Sequence, residues 1–243
     1  MGFLRDKARD VAADLRSFDG RAVVTLATAA FVLVALQFRG KAGWWRTTEF
    51  VAERSRTPLE ADFVSQCCWA VATDLGFGVL PFLVAVLVLR MRPSELGFRF
   101  GGFFRHLGLY LALFAFMVPA ILWAAERPDF RGTYPFPALA RTDDHHFWVW
   151  QAFYFSQFAA VESFFRGFLL FPLERRFGLN AIFVSVIPYA MIHFSKPMPE
   201  AFGAVFAGIA LGYLALKTRS FFGGILLHYL VAITMDLLAT GRL

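Results

Sequence analysis

Seven apolar stretches of helical length dominate the sequence and restrict what the chain can fold into. They are residues 22–38, 67–89, 107–125, 147–171, 181–194, 201–216 and 221–240. A helix of about 20 apolar residues is long enough to cross the hydrocarbon core of a bilayer. The fifth and sixth stretches are short, so we expect them to tilt or to lie inside the bundle. The pattern predicts an all-α polytopic transmembrane helical bundle with about seven spans.

Composition supports a membrane protein. The 243 residues are 58% hydrophobic and include 31 Phe, and the mean hydropathy is +0.56. The net charge of +6 comes mostly from basic residues between the apolar stretches. This distribution fits loops that face lipid headgroups, and no basic-aromatic motif indicates nucleic acid. Cys67 and Cys68 are adjacent, so they cannot form a framework of disulfides.

The charge pattern divides the chain into two parts. Residues 1–21 mix both signs and place Leu4, Val11, Ala12 and Leu15 at helical spacing, which predicts an amphipathic helix on the membrane surface. Residues 22–243 form a single transmembrane bundle. Basic residues are slightly more numerous on the N-terminal side of the spans, which predicts a cytoplasmic N-terminus in a plasma or inner membrane.

Four ionisable residues lie inside these stretches in a pattern that suggests a site. Glu162 and Arg166 belong to the fourth stretch, His193 to the fifth and His228 to the seventh. Counted from the face that holds residues 172–180, Glu162, His193 and His228 lie roughly 14, 18 and 11 Å deep at about 1.5 Å per residue. Intramembrane ionisable groups usually face the interior of a bundle and have a function. A shared buried site of one carboxylate and two imidazoles could activate water.

Each of these residues also has a purely structural interpretation. Glu162 and Arg166 are four residues apart, so they could form an ion pair that only neutralises two charges, or Arg166 could orient a carboxylate that acts as a base. His193 could cap a helix end near Lys196, and His228 could bind the backbone of a neighbouring helix. Together with Glu162, however, the two histidines favour function.

Other polar residues have weaker indications. Tyr189 lies one turn before His193 and could donate a hydrogen bond in the site, although aromatic packing is the commoner role. Asp236 lies two turns after His228 and could orient another group. Asp74 is expected to cap a polar network. The pair His145 and His146 follows two aspartates in a loop and is more often solvated than metal-bound.

Three motifs resemble those of a known family. Residues 162–167 (Glu-Ser-Phe-Phe-Arg-Gly), residues 189–193 (Tyr-Ala-Met-Ile-His) and His228 on the last apolar stretch occur in this order. They resemble the motifs of the CAAX protease and bacteriocin-processing enzyme family, also called the Abi family, whose members are intramembrane glutamic endopeptidases. The resemblance covers a protease-like core at about 147–240, and residues 92–97 are similar to the connection before that core.

The resemblance implies a metal-free mechanism without a cofactor. In the family pattern a glutamate and a histidine activate water, and a second histidine stabilises the oxyanion together with an asparagine. His193 and His228 match the two histidines, whereas Glu162 matches the second glutamate of the usual EExxxR motif. Either Glu162 takes the role of the base, or peptidase activity is reduced or lost. Arg166, Tyr189 and Asp236 would support them. Two positions depart from the family pattern: Val161 stands where the leading glutamate is usual, and Ala232 stands where an asparagine is usual.

The sequence therefore predicts an intramembrane endopeptidase in which Glu162 acts as the base. Its partners would be membrane lipid and a peptide or protein substrate, including lipidated peptides and proteins with a C-terminal membrane tail. Three alternatives remain open. A zinc peptidase would use Glu162, His193 and His228 as ligands, although no HExxH motif is present. A non-catalytic immunity or scaffold protein would bind a membrane peptide without cleaving it. A transporter is less favoured because no repeat is evident.

Overall fold

The computed structural model describes residues 17–243 together with Lys7 and Asp14. The amphipathic helix predicted for residues 1–21 falls mostly outside these described residues. Among them all regular structure is helical, and five helices are long and apolar enough to cross a membrane: Gly20–Gly40, Pro58–Val88, Pro93–Ala125, Met198–Thr218 and Phe222–Ala239. The protein is thus an integral membrane protein with an all-α bundle, as the sequence predicts.

The first half of the bundle contains three long helices, two of which continue through π-helical turns, and two short ones. Its α-helices are α1 Gly20–Ala35, α2 Ala42–Trp45, α3 Glu49–Glu53, α4 Pro58–Thr73 and α5 Phe100–Ala125. Helix α1 continues as a π-helical turn over Leu36–Gly40, and α4 continues through Asp74–Val79, Leu80–Leu83 and Val84–Val88. A 3₁₀ turn over Pro93–Leu96 precedes α5.

The second half carries the candidate site. Short helices α6 Pro128–Thr133 and α7 Ala138–Thr142 lead into α8 Asp144–Glu162, which continues through a π-helical segment Ser163–Leu169 and through Leu170–Phe177. A 3₁₀ turn over Gly178–Asn180 connects to α9 Ala181–Met191, α10 Met198–Thr218 and α11 Phe222–Ala239. Helix α11 packs against α5 and α8, and α9 packs against α10.

Five of the seven predicted stretches correspond to the five apolar helices, and the other two contain helices outside that set. Residues 147–171 form the buried part of α8 and its continuation. Residues 181–194 contain only the 11-residue α9, which at about 1.5 Å per residue is about half the thickness of a bilayer. The expectation that this short stretch lies inside the bundle fits its length.

Local sequence explains where several helices begin. Asp143 caps α8 because its carboxylate accepts a hydrogen bond from the backbone N–H of His146 at 2.8 Å. Thr57 caps α4 in the same way, with its hydroxyl 3.2 Å from the backbone nitrogen of Glu60, and Pro58 occupies the first helical position. These caps fix the start of the two helices that pack together around the centre of the molecule.

The segment Ser163–Leu169 is the densest part of the core. Phe164, Phe165 and Leu169 have at most 1% exposure, and the π-helical turn places a cluster of aromatic rings against α4. Single π-helical turns within α-helices are rare and are frequent at functional sites. Here the turn begins directly after Glu162 and contains Arg166.

A tight turn before α5 closes over this segment. Gly97 has a φ angle of 89°, a left-handed conformation that favours glycine. A Cβ atom at this position would lie 2.5 Å from the ring of Phe171, so glycine is also needed for the close approach. The connection over residues 92–97, which the sequence links to the protease-like core, is therefore packed directly against that core.

Candidate active site

Glu162 is the centre of the site. It is the last residue of α8 before the π-helical turn, and its side chain is 0% exposed. One carboxylate oxygen, Oε1, lies near two nitrogen atoms from other side chains. The other oxygen, Oε2, has no hydrogen-bond partner among the described residues. A Cβ atom at Gly224 would lie 2.6 Å from Oε2, so α11 can approach the carboxylate only because this position is glycine.

Arg166 supplies the positive charge that this buried carboxylate needs. Its Nη1 atom lies 3.1 Å from Oε1 of Glu162, and its own side chain is 2% exposed. The guanidinium carbon lies 4.0 Å from the centre of the Tyr189 ring, so the cation contacts the face of an aromatic ring. The ion pair that the spacing suggested is therefore present, and it places opposite charges next to each other in the core.

His228 on α11 makes the second contact with Glu162. Its Nδ1 atom lies 2.9 Å from Oε1, and its side chain is 16% exposed. A carboxylate paired with Arg166 has no hydrogen to give, so Nδ1–H donates and Glu162 accepts. In the neutral ring this assignment leaves Nε2 with a free lone pair. The ring of Phe158 lies 4.3 Å away and limits its movement.

His193 lies just after the end of α9, in the turn that leads to α10. Its Nδ1 atom is 2.8 Å from the backbone carbonyl oxygen of Tyr189. A carbonyl can only accept, so Nδ1–H donates here too, and Nε2 again keeps a lone pair. The rings of His193 and His228 are 6.5 Å apart and nearly parallel, with an angle of 20°. The structure thus brings together the three residues that the depth argument placed at similar levels.

Of the supporting residues, Tyr189 is part of the site and Asp236 is not. The Tyr189 ring lies 4.7 Å from the His193 ring and 6.2 Å from the His228 ring, so it packs between the imidazoles and Arg166. Asp236 accepts a hydrogen bond from Gln151 Nε2 at 2.7 Å. It lies eight residues after His228 on the same helix, about 12 Å along the axis at 1.5 Å per residue.

Asp74, His145 and His146 lie elsewhere. Asp74 accepts a hydrogen bond from the Ser156 hydroxyl at 2.7 Å, which fits the polar network expected for it. His145 is exposed at the start of α8. The ring of His146 lies next to Asp143, with 2.6 Å between Nδ1 and Oδ1.

An apolar cavity of about 580 Å³ adjoins the site. His228, Tyr189 and Phe158 lie on its wall, whereas Glu162 and His193 do not. Most of its other lining is apolar side chains from α5, α10 and α11. A cavity of this size and character can hold an apolar ligand or an extended peptide segment.

The cavity also has a polar group that the sequence did not indicate. Lys196 Nζ donates to the Tyr134 hydroxyl at 2.9 Å and lies 3.5 Å from Glu200 Oε1, while the Tyr134 hydroxyl donates to the other Glu200 oxygen. All three residues lie on the cavity wall. The sequence shows only that these residues lie next to apolar stretches. It contains no local pattern that predicts a contact between residues 134 and 196.

Comparison with known protein families agrees with this geometry. Residues 143–234 match the family described as Rce1-like, type II CAAX prenyl endopeptidase Rce1-like. This part of the chain is similar to the CAAX protease family. The family resemblance noted in the sequence is thereby confirmed, and the matched region includes Glu162, His193 and His228. No curated protein and no solved structure matches the chain.

The two positions that depart from the family pattern are both buried and apolar in this structure. Val161 is 7% exposed and belongs to the main core cluster. Ala232 is 5% exposed and lies on the cavity wall one turn after His228. Neither side chain can accept or donate a proton.

Proposed function

We propose that the protein is an intramembrane endopeptidase that hydrolyses a peptide bond at the wall of the apolar cavity. The observation that carries this proposal is the contact between Glu162 and His228, 2.9 Å apart. It joins a fully buried carboxylate to an imidazole on the cavity wall. A carboxylate and imidazole in contact are a common means of activating a nucleophile.

The proposed chemistry uses water as the nucleophile. The water oxygen attacks the carbonyl carbon of the peptide, and the pair of Glu162 and His228 receives the released proton. The same proton then passes to the peptide nitrogen as the C–N bond breaks. His193 Nε2 can accept a hydrogen bond from the same water, because its Nδ1–H already donates to the Tyr189 carbonyl. The low polarity of the cavity strengthens each of these interactions.

The cavity lining supports an apolar substrate. Its wall is formed mainly by leucine, methionine, alanine and aromatic side chains. We therefore propose that the substrate is a membrane-associated peptide or protein in contact with lipid. The two forms to compare are a substrate with a lipidated end and a substrate with a C-terminal membrane tail. Both would place apolar groups in the cavity and a peptide bond near His228.

The test is a cleavage assay with the purified protein in lipid nanodiscs. Fluorogenic peptides with a prenylated cysteine, with a transmembrane tail or with neither would be compared. We expect cleavage of at least one apolar peptide. Glu162→Gln, His193→Ala and His228→Ala should each lower the rate, by about 10²–10⁴-fold for loss of acid–base chemistry. Glu49→Gln, which changes an exposed glutamate of α3, is the matched control.

Two outcomes would contradict the assignment. Normal cleavage by a folded Glu162→Gln variant would make Glu162 only the structural partner of Arg166. Absence of cleavage by the wild-type protein with every peptide would contradict the proposed activity itself.

The apolar residues Val161 and Ala232 favour one second candidate. A protein of this fold with both positions apolar could bind a membrane peptide without cleaving it, as an immunity or scaffold protein would. In the same nanodiscs, photo-crosslinking of a peptide to the cavity without any product would support this candidate, and release of product would exclude it.

A further inference from the structure

We infer that His228, and not Glu162, takes the proton from the attacking water, and that Glu162 is a positioning residue for His228. This inference rests on the proposed function and assigns roles within the pair. It differs from the expectation based on sequence, in which Glu162 is the base and His228 only stabilises the oxyanion.

Access to the cavity is the first argument. Glu162 is 0% exposed and is absent from the cavity wall, whereas His228 lies on that wall. A base must come within about 3 Å of the proton that it removes, or act through one water. His228 can reach a water bound in the cavity directly, whereas Glu162 does not line the cavity and contacts His228, which does.

The contacts of the carboxylate are the second argument. Oε1 of Glu162 already lies 3.1 Å from Arg166 Nη1 and 2.9 Å from His228 Nδ1. Protonation of Glu162 would weaken both contacts and leave the Arg166 guanidinium without a counter-ion in the core. An uncompensated charge in the core is strongly destabilising. Glu162 therefore stays ionised through the reaction.

The orientation of His228 is the third argument. Because Nδ1–H donates to Glu162, the neutral ring presents the lone pair of Nε2 as its only basic site. When Nε2 gains a proton, the resulting imidazolium lies next to a fixed negative charge, which stabilises it. This is the role that an aspartate has toward histidine in a Ser-His-Asp triad, where the aspartate itself is not protonated.

His193 is less suited to the same role. It is 8% exposed and is not on the cavity wall, and its Nδ1–H donates to a neutral carbonyl. An imidazolium formed there would have no carboxylate next to it comparable to Glu162. We therefore assign acceptance of the proton to His228 and not to His193.

The proposed step neither gains nor loses a proton. A proton moves from water to Nε2 of His228 while the water oxygen bonds to the carbonyl carbon. The imidazolium then gives this proton to the peptide nitrogen as the C–N bond breaks, and His228 returns to its neutral form. Glu162 and Arg166 keep their charges throughout.

A comparison of His228→Gln with His228→Ala tests the assignment. Glutamine keeps an N–H donor at a similar reach but cannot take a proton. If His228 is the base, both variants should lose kcat to the same extent, by about 10²–10⁴-fold. If His228 only donates to the oxyanion, His228→Gln should keep at least one tenth of the wild-type rate. That result would overturn the inference. His145→Gln and His145→Ala, at the exposed start of α8, are the controls.

Rescue of the His228→Ala variant by added imidazoles provides a second test if the rates of the two variants are hard to compare. Cleavage by His228→Ala would be measured with added 4-methylimidazole, imidazole or 4-bromoimidazole, whose pKa values fall in that order, at a pH where all are neutral. A base gives rates that rise with the pKa of the added compound. Rates that rise as the pKa falls would indicate a hydrogen-bond donor and would overturn the assignment.

The positioning role of Glu162 has its own readout. Because Glu162 is not on the cavity wall, Glu162→Gln should lower kcat and leave KM unchanged, and Glu162→Asp should restore part of the loss. A rise in KM with unchanged kcat would contradict the positioning role. Absence of wild-type cleavage of every peptide would overturn the proposed function together with this inference, whereas a His228→Gln variant that cleaves would overturn only the inference.

Discussion

Two polar contacts join α8 to α11, and they differ in what surrounds them. In the first, His228 contacts Glu162 at 2.9 Å. In the second, Gln151 donates to Asp236 at 2.7 Å. Both carboxylates are 0% exposed. In the first contact the carboxylate also lies 3.1 Å from a guanidinium nitrogen of Arg166, and its partner His228 lies on the cavity wall and can change its protonation. Gln151, the partner in the second contact, does not line the cavity.

The difference shows that burial of a carboxylate in a membrane protein does not by itself mark a catalytic group. A neutral amide such as that of Gln151 can satisfy a carboxylate but cannot accept a proton from water. An imidazole next to a carboxylate can accept a proton from water, and the contact of Glu162 with His228 contains such an imidazole. The partner of a buried carboxylate, together with access to a cavity, therefore decides between a structural and a chemical role.

The largest effect is expected for Arg166→Ala. This change leaves the Glu162 carboxylate buried without its counter-ion, so the protein should lose about 3–5 kcal/mol of stability together with its cleavage activity. Thermal unfolding and size-exclusion chromatography in detergent would measure the first loss. Arg175→Ala removes an exposed arginine of the same continuous helix and should leave both properties nearly unchanged. Wild-type stability of Arg166→Ala would show that the ion pair contributes little.

Gly224→Ala should have the next largest effect. The added methyl group would lie 2.6 Å from Oε2 of Glu162, so the carboxylate must shift relative to His228. A displacement of about 1 Å in a catalytic arrangement can cost roughly 10²-fold in rate. Gly108→Ala, on the lipid-facing helix α5 where no atom lies within 4 Å of the new Cβ, is the control. Equal rates for both variants would mean that the carboxylate position is not critical.

The sequence alone predicted the fold class and the residues of the first contact. Ionisable residues in apolar stretches are few, so Glu162, Arg166, His193 and His228 stood out, and their depths could be counted along helices. The ion pair followed from a spacing of four residues on one helix. These inferences depend on the spacing of residues along one helix, which can be read directly from the sequence.

Other features depend on contacts between distant segments, which a single sequence does not contain. Asp236 looked like a supporting residue because it follows His228 at a helical spacing, yet its side chain meets Gln151, 85 residues earlier. The polar group of Tyr134, Lys196 and Glu200 joins segments more than 60 residues apart. The seventh predicted stretch forms an apolar helix long enough to cross a membrane. The helix of the fifth stretch ends at Met191, where a turn follows.

Asp236→Asn should have a small effect, in contrast to Glu162→Gln. Asparagine can still accept the hydrogen bond from Gln151, so we expect a change in stability within about 1 kcal/mol and cleavage at close to the wild-type rate. Cleavage assays and thermal unfolding of both variants, prepared in parallel, would check this. If Asp236→Asn loses cleavage as Glu162→Gln does, the two contacts act as one network and the distinction between them is wrong.

The smallest effect is expected for metal chelators, which should leave cleavage unchanged. A zinc site of one glutamate and two histidines needs a free carboxylate oxygen and two ring nitrogens at about 2.0–2.2 Å from one ion. Although Oε2 of Glu162 has no hydrogen-bond partner among the described residues, the Arg166 guanidinium lies 3.1 Å from Oε1 of the same carboxylate and would repel a second cation. Within residues 17–243, Lys7 and Asp14 no group of three histidine, cysteine or acidic side chains is arranged to hold a metal.

The assay would compare untreated protein with protein dialysed against EDTA and with the same sample after added zinc. Loss of cleavage in EDTA that zinc restores would replace the Glu162–His228 mechanism with a zinc-dependent one.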